Sequence, residues 1–206
     1  VGKRGDRLKL SRTLPVRPWS LGWLPDGRCV AAMDKTVDVL NTKTGETTPL
    51  VREGLSCPWG IAIDAKGRIY VSDQGDAGTK FSPDGKLPWQ AVRLRGEPSH
   101  QVKIYDSAGR LLRTMGRKGG QPIGKIDPNS FYKPAGLAID PRGRLWVTEI
   151  TMCPKRVSVW AIPDDLASAP VLLKQFIGPA MYGGGAAIID PEKPWRIMDT
   201  NFGVLF

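Results

Sequence analysis

One internal repeat limits what this chain can fold into. Cys57-Pro58-Trp59-Gly60-Ile61-Ala62-Ile63-Asp64 runs into Ala65-Lys66-Gly67-Arg68-Ile69-Tyr70-Val71-Ser72-Asp73. Lys133-Pro134-Ala135-Gly136-Leu137-Ala138-Ile139-Asp140 runs into Pro141-Arg142-Gly143-Arg144-Leu145-Trp146-Val147-Thr148-Glu149, and the two stretches align without a gap. A weaker copy begins at Pro18-Trp19-Ser20-Leu21-Gly22-Trp23 and continues through Pro25-Asp26-Gly27-Arg28. Another runs from Gly185-Ala186-Ala187-Ile188-Ile189-Asp190 to Arg196-Ile197-Met198-Asp199. Each copy reads as a short apolar strand, a tight turn whose Gly supplies positive φ, and a second apolar strand.

Third strands follow at Val37–Leu40, Val102–Tyr105 and Arg156–Trp160, and fourth strands at Leu111–Met115 and Leu172–Phe176. Four antiparallel strands per repeat make a propeller blade. Nearly all-apolar inner strands suit sheets packed on both faces. The expected fold is therefore all-β: a β-propeller of four-stranded antiparallel blades, about four of them, in an open arc with almost no helix. The blades are placed at 17–56, 57–116, 133–178 and, in part, 182–206. A basic segment over 1–16 reads as the end of a preceding blade. An insertion over 74–100 is expected to protrude on the side of Asp73 and Glu149, and 117–133 forms a long link. Pro-x-Gly-Ile-Ala-x-Asp, Gly-x-Ile-Tyr-Val-x-Asp and Val-x-Ile-Tyr-Asp together resemble the NHL repeat, a resemblance that implies the propeller fold and leaves function open.

No run of about 18 apolar residues is present, so no membrane-spanning helix is expected. The chain starts at Val1 and finishes on the strand-like Gly203-Val204-Leu205-Phe206, so both ends read as cut from a longer protein with further blades. The compartment stays open. Cys29, Cys57 and Cys153 lack zinc-ligand spacing and read as buried thiols. The net charge of +10 is uneven: residues 1–20 hold six cations against Asp6 alone. A basic balance suits an acidic partner, such as nucleic acid or an anionic polysaccharide, or simply a solvated surface. Arg93, Arg95, Arg113, Arg117 and Lys118 form the region a nucleic acid would use.

The candidate chemistry lies where second strands end. Asp34, Asp73, Glu149 and Asp199 read as a ring of acids at equivalent positions. Such a ring suits Ca²⁺ or another divalent cation, and the same acids also suit backbone N–H bonds in their own loops. Trp19 and Trp59 share a repeat position at the channel rim, fit either for stacking on a ligand or for packing between blades. The expected ligand-binding rim holds Trp59, Asp73, His100, Glu149, Arg156, Asp199 and Asn201. The function that follows is a non-catalytic scaffold binding a protein, a polysaccharide or another polar ligand on its loop face. The alternative is a metal-assisted lyase or hydrolase. Gly143-Arg144-Leu145-Trp146-Val147-Thr148-Glu149 also resembles streptogramin-lyase-like propellers, and gluconolactonases are of the same kind. The lyase resemblance implies several histidines and a metal, as does that to NHL-type peptide-amidating lyases. Only His100 is present here, so the other site residues would lie in missing blades.

Overall fold

The repeated Asp-x-x-Gly-Arg turn shows how the sequence builds each hairpin. The computed structural model describes residues 12–74, 99–121, 127–149, 155–178, 187–189 and 197–199. Asp64 Oδ1 accepts the N–H groups of Lys66 and Arg68, while Oδ2 accepts Arg68 Nε at 2.5 Å and the Tyr70 hydroxyl at 3.0 Å. Asp140 repeats this with Arg142, Arg144 and the indole N–H of Trp146. Gly67 and Gly143 close the turns at φ 75° and 74°, a conformation that costs glycine nothing. Burial works to raise the Asp140 carboxyl, but the bonds from Trp146 and Arg144 outweigh it and hold the group below its ordinary value. Asp140→Ala would strand the buried indole N–H. It is expected to cost about 2 kcal/mol, read as a lowered midpoint in urea.

The strands these turns connect form three four-stranded antiparallel sheets. The first holds β1 (Ser20–Trp23), β2 (Cys29–Ala32), β3 (Val37–Leu40) and β4 (Thr47–Val51). The second holds β5 (Pro58–Ile63), β6 (Ile69–Asp73), β7 (Gln101–Tyr105) and β8 (Leu111–Met115). The third holds β9 (Pro134–Ile139), β10 (Leu145–Glu149), β11 (Lys155–Ala161) and β12 (Val171–Gly178). In each the spatial order follows the chain order. β13 (Ala187–Ile189) and β14 (Ile197–Asp199) pair as a further two-stranded sheet. No helix occurs among the described residues, and none there is long and apolar enough to cross a membrane, a statement that leaves β-barrels aside.

β1, β5, β9 and β13 pack side by side in succession, so the sheets are blades in an open arc. Apolar side chains fill the seams. Val30, Ala32 and Val37 of the first blade meet Ile61, Ile69, Val71 and Tyr105 of the second. Tyr70, Val102, Ile104 and Met115 meet Leu137, Leu145, Val147 and Trp160 across the next seam. A polar relay also crosses that seam. Gly60 N–H donates to Ser72 Oγ at 2.7 Å, and Ser72 Oγ donates to the Ala135 carbonyl at 2.6 Å. Cys29 and Cys57 are buried, and Cys153 lies outside the described residues.

Candidate functional site

Antiparallel register brings one end of every second strand to the same rim as the start of each inner strand. Pro58 faces Asp73, and Pro134 faces Glu149. Asp73 also faces Gln101, so the chain between Gln74 and Ser99 leaves and returns at this rim. The protrusion expected for 74–100 falls largely on 75–98, outside the described residues.

Asp73 and Glu149 are the last residues of β6 and β10, and both are buried. Asp73 accepts the N–H of Ser56 and, at 2.7 Å, that of Cys57, and pairs with Lys103 Nζ at 2.6 Å. Lys103 also donates to the Gly54 carbonyl. Glu149 repeats the arrangement one blade on. It accepts Arg156 Nη2 at 2.6 Å and Nε at 3.2 Å, together with the Tyr132 N–H. Arg156 reaches onward from Nη1 to the Asp127 carbonyl and from Nη2 to that of Ser130, and lies over the Phe131 ring. Each acid thus fastens the incoming inter-blade link to its blade with a cation from the third strand. The ring of four is corrected in one place. Asp34 is exposed, beyond the end of β2, and Met33 holds the position equivalent to Asp73 because Cys29 aligns with Ile69 in strand register. Among the described residues no three of His, Cys, Asp and Glu come together as a metal site.

Burial pushes the Glu149 carboxyl up to about 7, against the lowering effects of Arg156 and the Tyr132 N–H. His100 is fully buried in a left-handed conformation (φ 50°). Its Nδ1 accepts the N–H of Lys133, itself at φ 48°, and its ring stacks on Tyr132 at 4.9 Å. His100 therefore belongs to the seam where the insertion rejoins the second blade. Asp199 is the last residue of β14, opposite Ala187, and Asn201 lies outside the described residues.

Trp59 differs from these buried groups. Its ring stacks on Trp19 with centroids 4.6 Å apart and planes 21° from parallel; Trp19 is 50% exposed and Trp59 half-buried. Trp19 stands just before β1 and Trp59 is the second residue of β5, both at the rim. Of the basic region, Arg113 is spent on the carbonyls of Leu166 and Ala167, Arg117 on that of Gly120, and Arg93 and Arg95 fall outside the described residues. The partners Lys103, Tyr132 and Asp127 were not singled out from sequence. Lys103 alone carried a signal there, as a charge inside the apolar run Val102-Lys103-Ile104-Tyr105.

Residues 55–77 match the NHL repeat. Over 91 residues the chain is 29% identical to NHL repeat-containing protein 3 of Mus musculus, covering 44% of this chain and 24% of that protein. Over 97 residues it is 28% identical to peptidyl-glycine alpha-amidating monooxygenase of Mus musculus, covering 45% of this chain and 9% of that protein. Among solved structures, hydrazine synthase of Kuenenia stuttgartiensis superposes with a TM-score of 0.56 at 15% identity, over 96% of this chain and 44% of that one. A gluconolactonase of Xanthomonas campestris gives 0.55 at 18%, over 90% and 59%. A nidogen/laminin complex gives 0.54 at 16%, over 87% and 62%. At these identities the likeness concerns the fold, which is that of β-propellers. The chain spans a quarter or less of the curated relatives it matches.

Proposed function

We propose that this chain, an arc of NHL-repeat β-propeller blades, is a non-catalytic scaffold that binds a protein or polysaccharide ligand on its loop rim. The observation that carries this reading is the half-exposed Trp19–Trp59 stack, standing at the rim where β5 begins and β6 ends. Ordered aromatic faces on a rigid sheet make strong contacts with little loss of side-chain freedom, and they suit apolar side chains and sugar faces alike. The acids and cations at the same rim are engaged in fastening the inter-blade links, which makes the rim firm. The nidogen/laminin neighbour, solved as a complex of proteins, agrees with a protein partner.

The lyase or hydrolase alternative asks for an acid–base group open to the rim. Among the described residues, His100 is enclosed between Tyr132 and Lys133, and Glu149 is enclosed against Arg156. Binding is tested by titrating the chain with a sulfated polysaccharide, a neutral glucan and laminin, following tryptophan fluorescence. Trp59→Ala is expected to weaken whichever interaction occurs by about tenfold or more, the loss typical of a central aromatic contact. The β-sheet signal in circular dichroism should be retained. Unchanged affinity in that variant would remove the Trp pair from the site.

A further inference from the structure

Among the described residues, the outermost strand of each four-stranded sheet has a hydrogen-bonded neighbour on one side only. The other edge carries unpaired N–H and C=O groups and invites a further strand. Proteins blunt such edges with proline, with charge or by keeping them short. The three outermost strands differ in this respect. β4 spans five residues and has Pro49, which lacks an N–H, at its middle. β8 also spans five residues, with Arg113 at its middle. Two such strands laid antiparallel about their midpoints would set Arg113 against Arg113, and like charges directly opposite repel. β12 spans eight residues, the longest strand among the described residues, and contains neither proline nor acid. On it Val171 is 57%, Leu173 46% and Ile177 49% exposed.

The register of β12 on β11 tells which side chains share a face. Leu172, Gln175 and Ile177 stand opposite Trp160, Ser158 and Arg156, and Lys174 and Phe176 stand opposite Val159 and Val157. The first set lies on the side of the second blade, where Trp160 and Leu172 join the cluster of Tyr70, Val102 and Met115. The second lies on the other side, where Phe176 stacks on Trp146. The bulge between Val159 and Trp160 takes up Leu173 as an extra residue, so Gln175 becomes the centre of the paired positions. Lys174 and Phe176 then flank that centre on one face, and Leu172 and Ile177 on the other. A second copy laid antiparallel about Gln175 sets Leu172 against Ile177, Lys174 against Phe176 and Val171 against Gly178. Every opposed pair shares a face, as an antiparallel ladder requires. Apolar residues meet apolar residues, and Lys174 meets an aromatic ring instead of its own copy.

We propose that β12 is a self-association edge. Two copies of this chain pair antiparallel through it, about a twofold axis at Gln175, and join their four-stranded third blades into one continuous sheet. The contact is isologous: each copy offers the other the same strand. A single strand pair makes a small interface, so the dimer is reversible and depends on concentration.

Sedimentation velocity of the 206-residue chain at increasing concentration tests this, and a monomer–dimer equilibrium is expected. Ile177→Lys should raise the dissociation constant about tenfold or more, because a charge then enters the contact with Leu172 of the other copy. Trp23→Lys, on the exposed face of the first blade, should leave it unchanged. Gln175 is exposed, so Gln175→Cys should keep the fold. A short thiol-to-thiol cross-linker should join that variant into covalent dimers above the level given by the parent chain. A monomer at every concentration would overturn the proposal. A dimer that Trp23→Lys dissolves and Ile177→Lys spares would overturn it too, as would a Gln175→Cys chain that dimerises without cross-linking.

Discussion

Replacing Arg156 with leucine is expected to destabilise the chain by about 3–5 kcal/mol, the loss typical of breaking a buried ion pair from one side. The guanidinium is fully buried and serves three partners: the Glu149 carboxylate and the carbonyls of Asp127 and Ser130. Without it the carboxylate is left in the seam with the Tyr132 N–H as its remaining donor. The loss should depend on pH, and the sign follows from Glu149. Its carboxyl is raised from 4.5 to about 7 in the folded chain, chiefly by burial. The folded chain therefore holds a proton between those values that the unfolded chain releases. The stability this contributes is fully present below the unfolded value and is lost as pH rises through the folded one. Removing Arg156 raises the carboxyl further, so Arg156→Leu should cost more at pH 8 than at pH 5, where a neutral Glu149 needs no cation. Urea midpoints of the two proteins at both pH values measure this. Adding Glu149→Gln should recover part of the loss at pH 8. An equal penalty at both pH values would show that Arg156 acts only through the link carbonyls.

Gly60→Ala is expected to cost about 3 kcal/mol, at the upper end of the usual range for overpacking. A Cβ on Gly60 would overlap the Ala135 carbonyl oxygen, which is backbone and already holds the Ser72 hydroxyl. No rotamer relieves that clash; the second and third blades would have to move apart. The opening would also break the Gly60–Ser72–Ala135 relay and loosen the Tyr70, Leu137 and Val147 packing beside it. Thermal or urea unfolding reads the effect. Gly119→Ala is a control for the seam, since nothing lies within 4 Å of a Cβ there, although its φ of 86° adds local strain. A Gly60→Ala midpoint equal to the parent's would mean that the blades do not approach at this point.

The blades were legible because strand, turn and strand repeat with the same residues at the same spacing. Asp-x-x-Gly-Arg marks the hairpins of the second and third blades, and the short apolar runs that flank it suit sheets buried on both sides. β4 was not read from the sequence. Thr47-Thr48-Pro49-Leu50-Val51 carries a proline and mixed polarity, which an outermost strand tolerates because one edge needs no hydrogen-bonded neighbour. The site was less legible. Repeat position correctly put Asp73 and Glu149 at strand ends on one rim. Whether such a carboxylate faces a ligand or an incoming link depends on residues far away in sequence. Ser56 and Cys57 decide it for Asp73, and Ser130, Tyr132 and Arg156 settle it around Glu149. Asp34 misled because one residue of offset separates a strand end from an exposed turn. With Asp73, Glu149 and Arg156 buried, substitutions there should change stability before they change binding.

Hydrogen–deuterium exchange of the chain, with and without a saturating ligand identified by titration, separates the rim from the rest of the surface. Binding at the rim should slow exchange over 55–60 and 130–135, around Trp59, Tyr132 and the entries to β5 and β9. The hairpin turns at the opposite end, 64–68 and 140–144, should exchange unchanged. Protection confined to those turns, with the rim unaffected, would contradict the placement of the binding site.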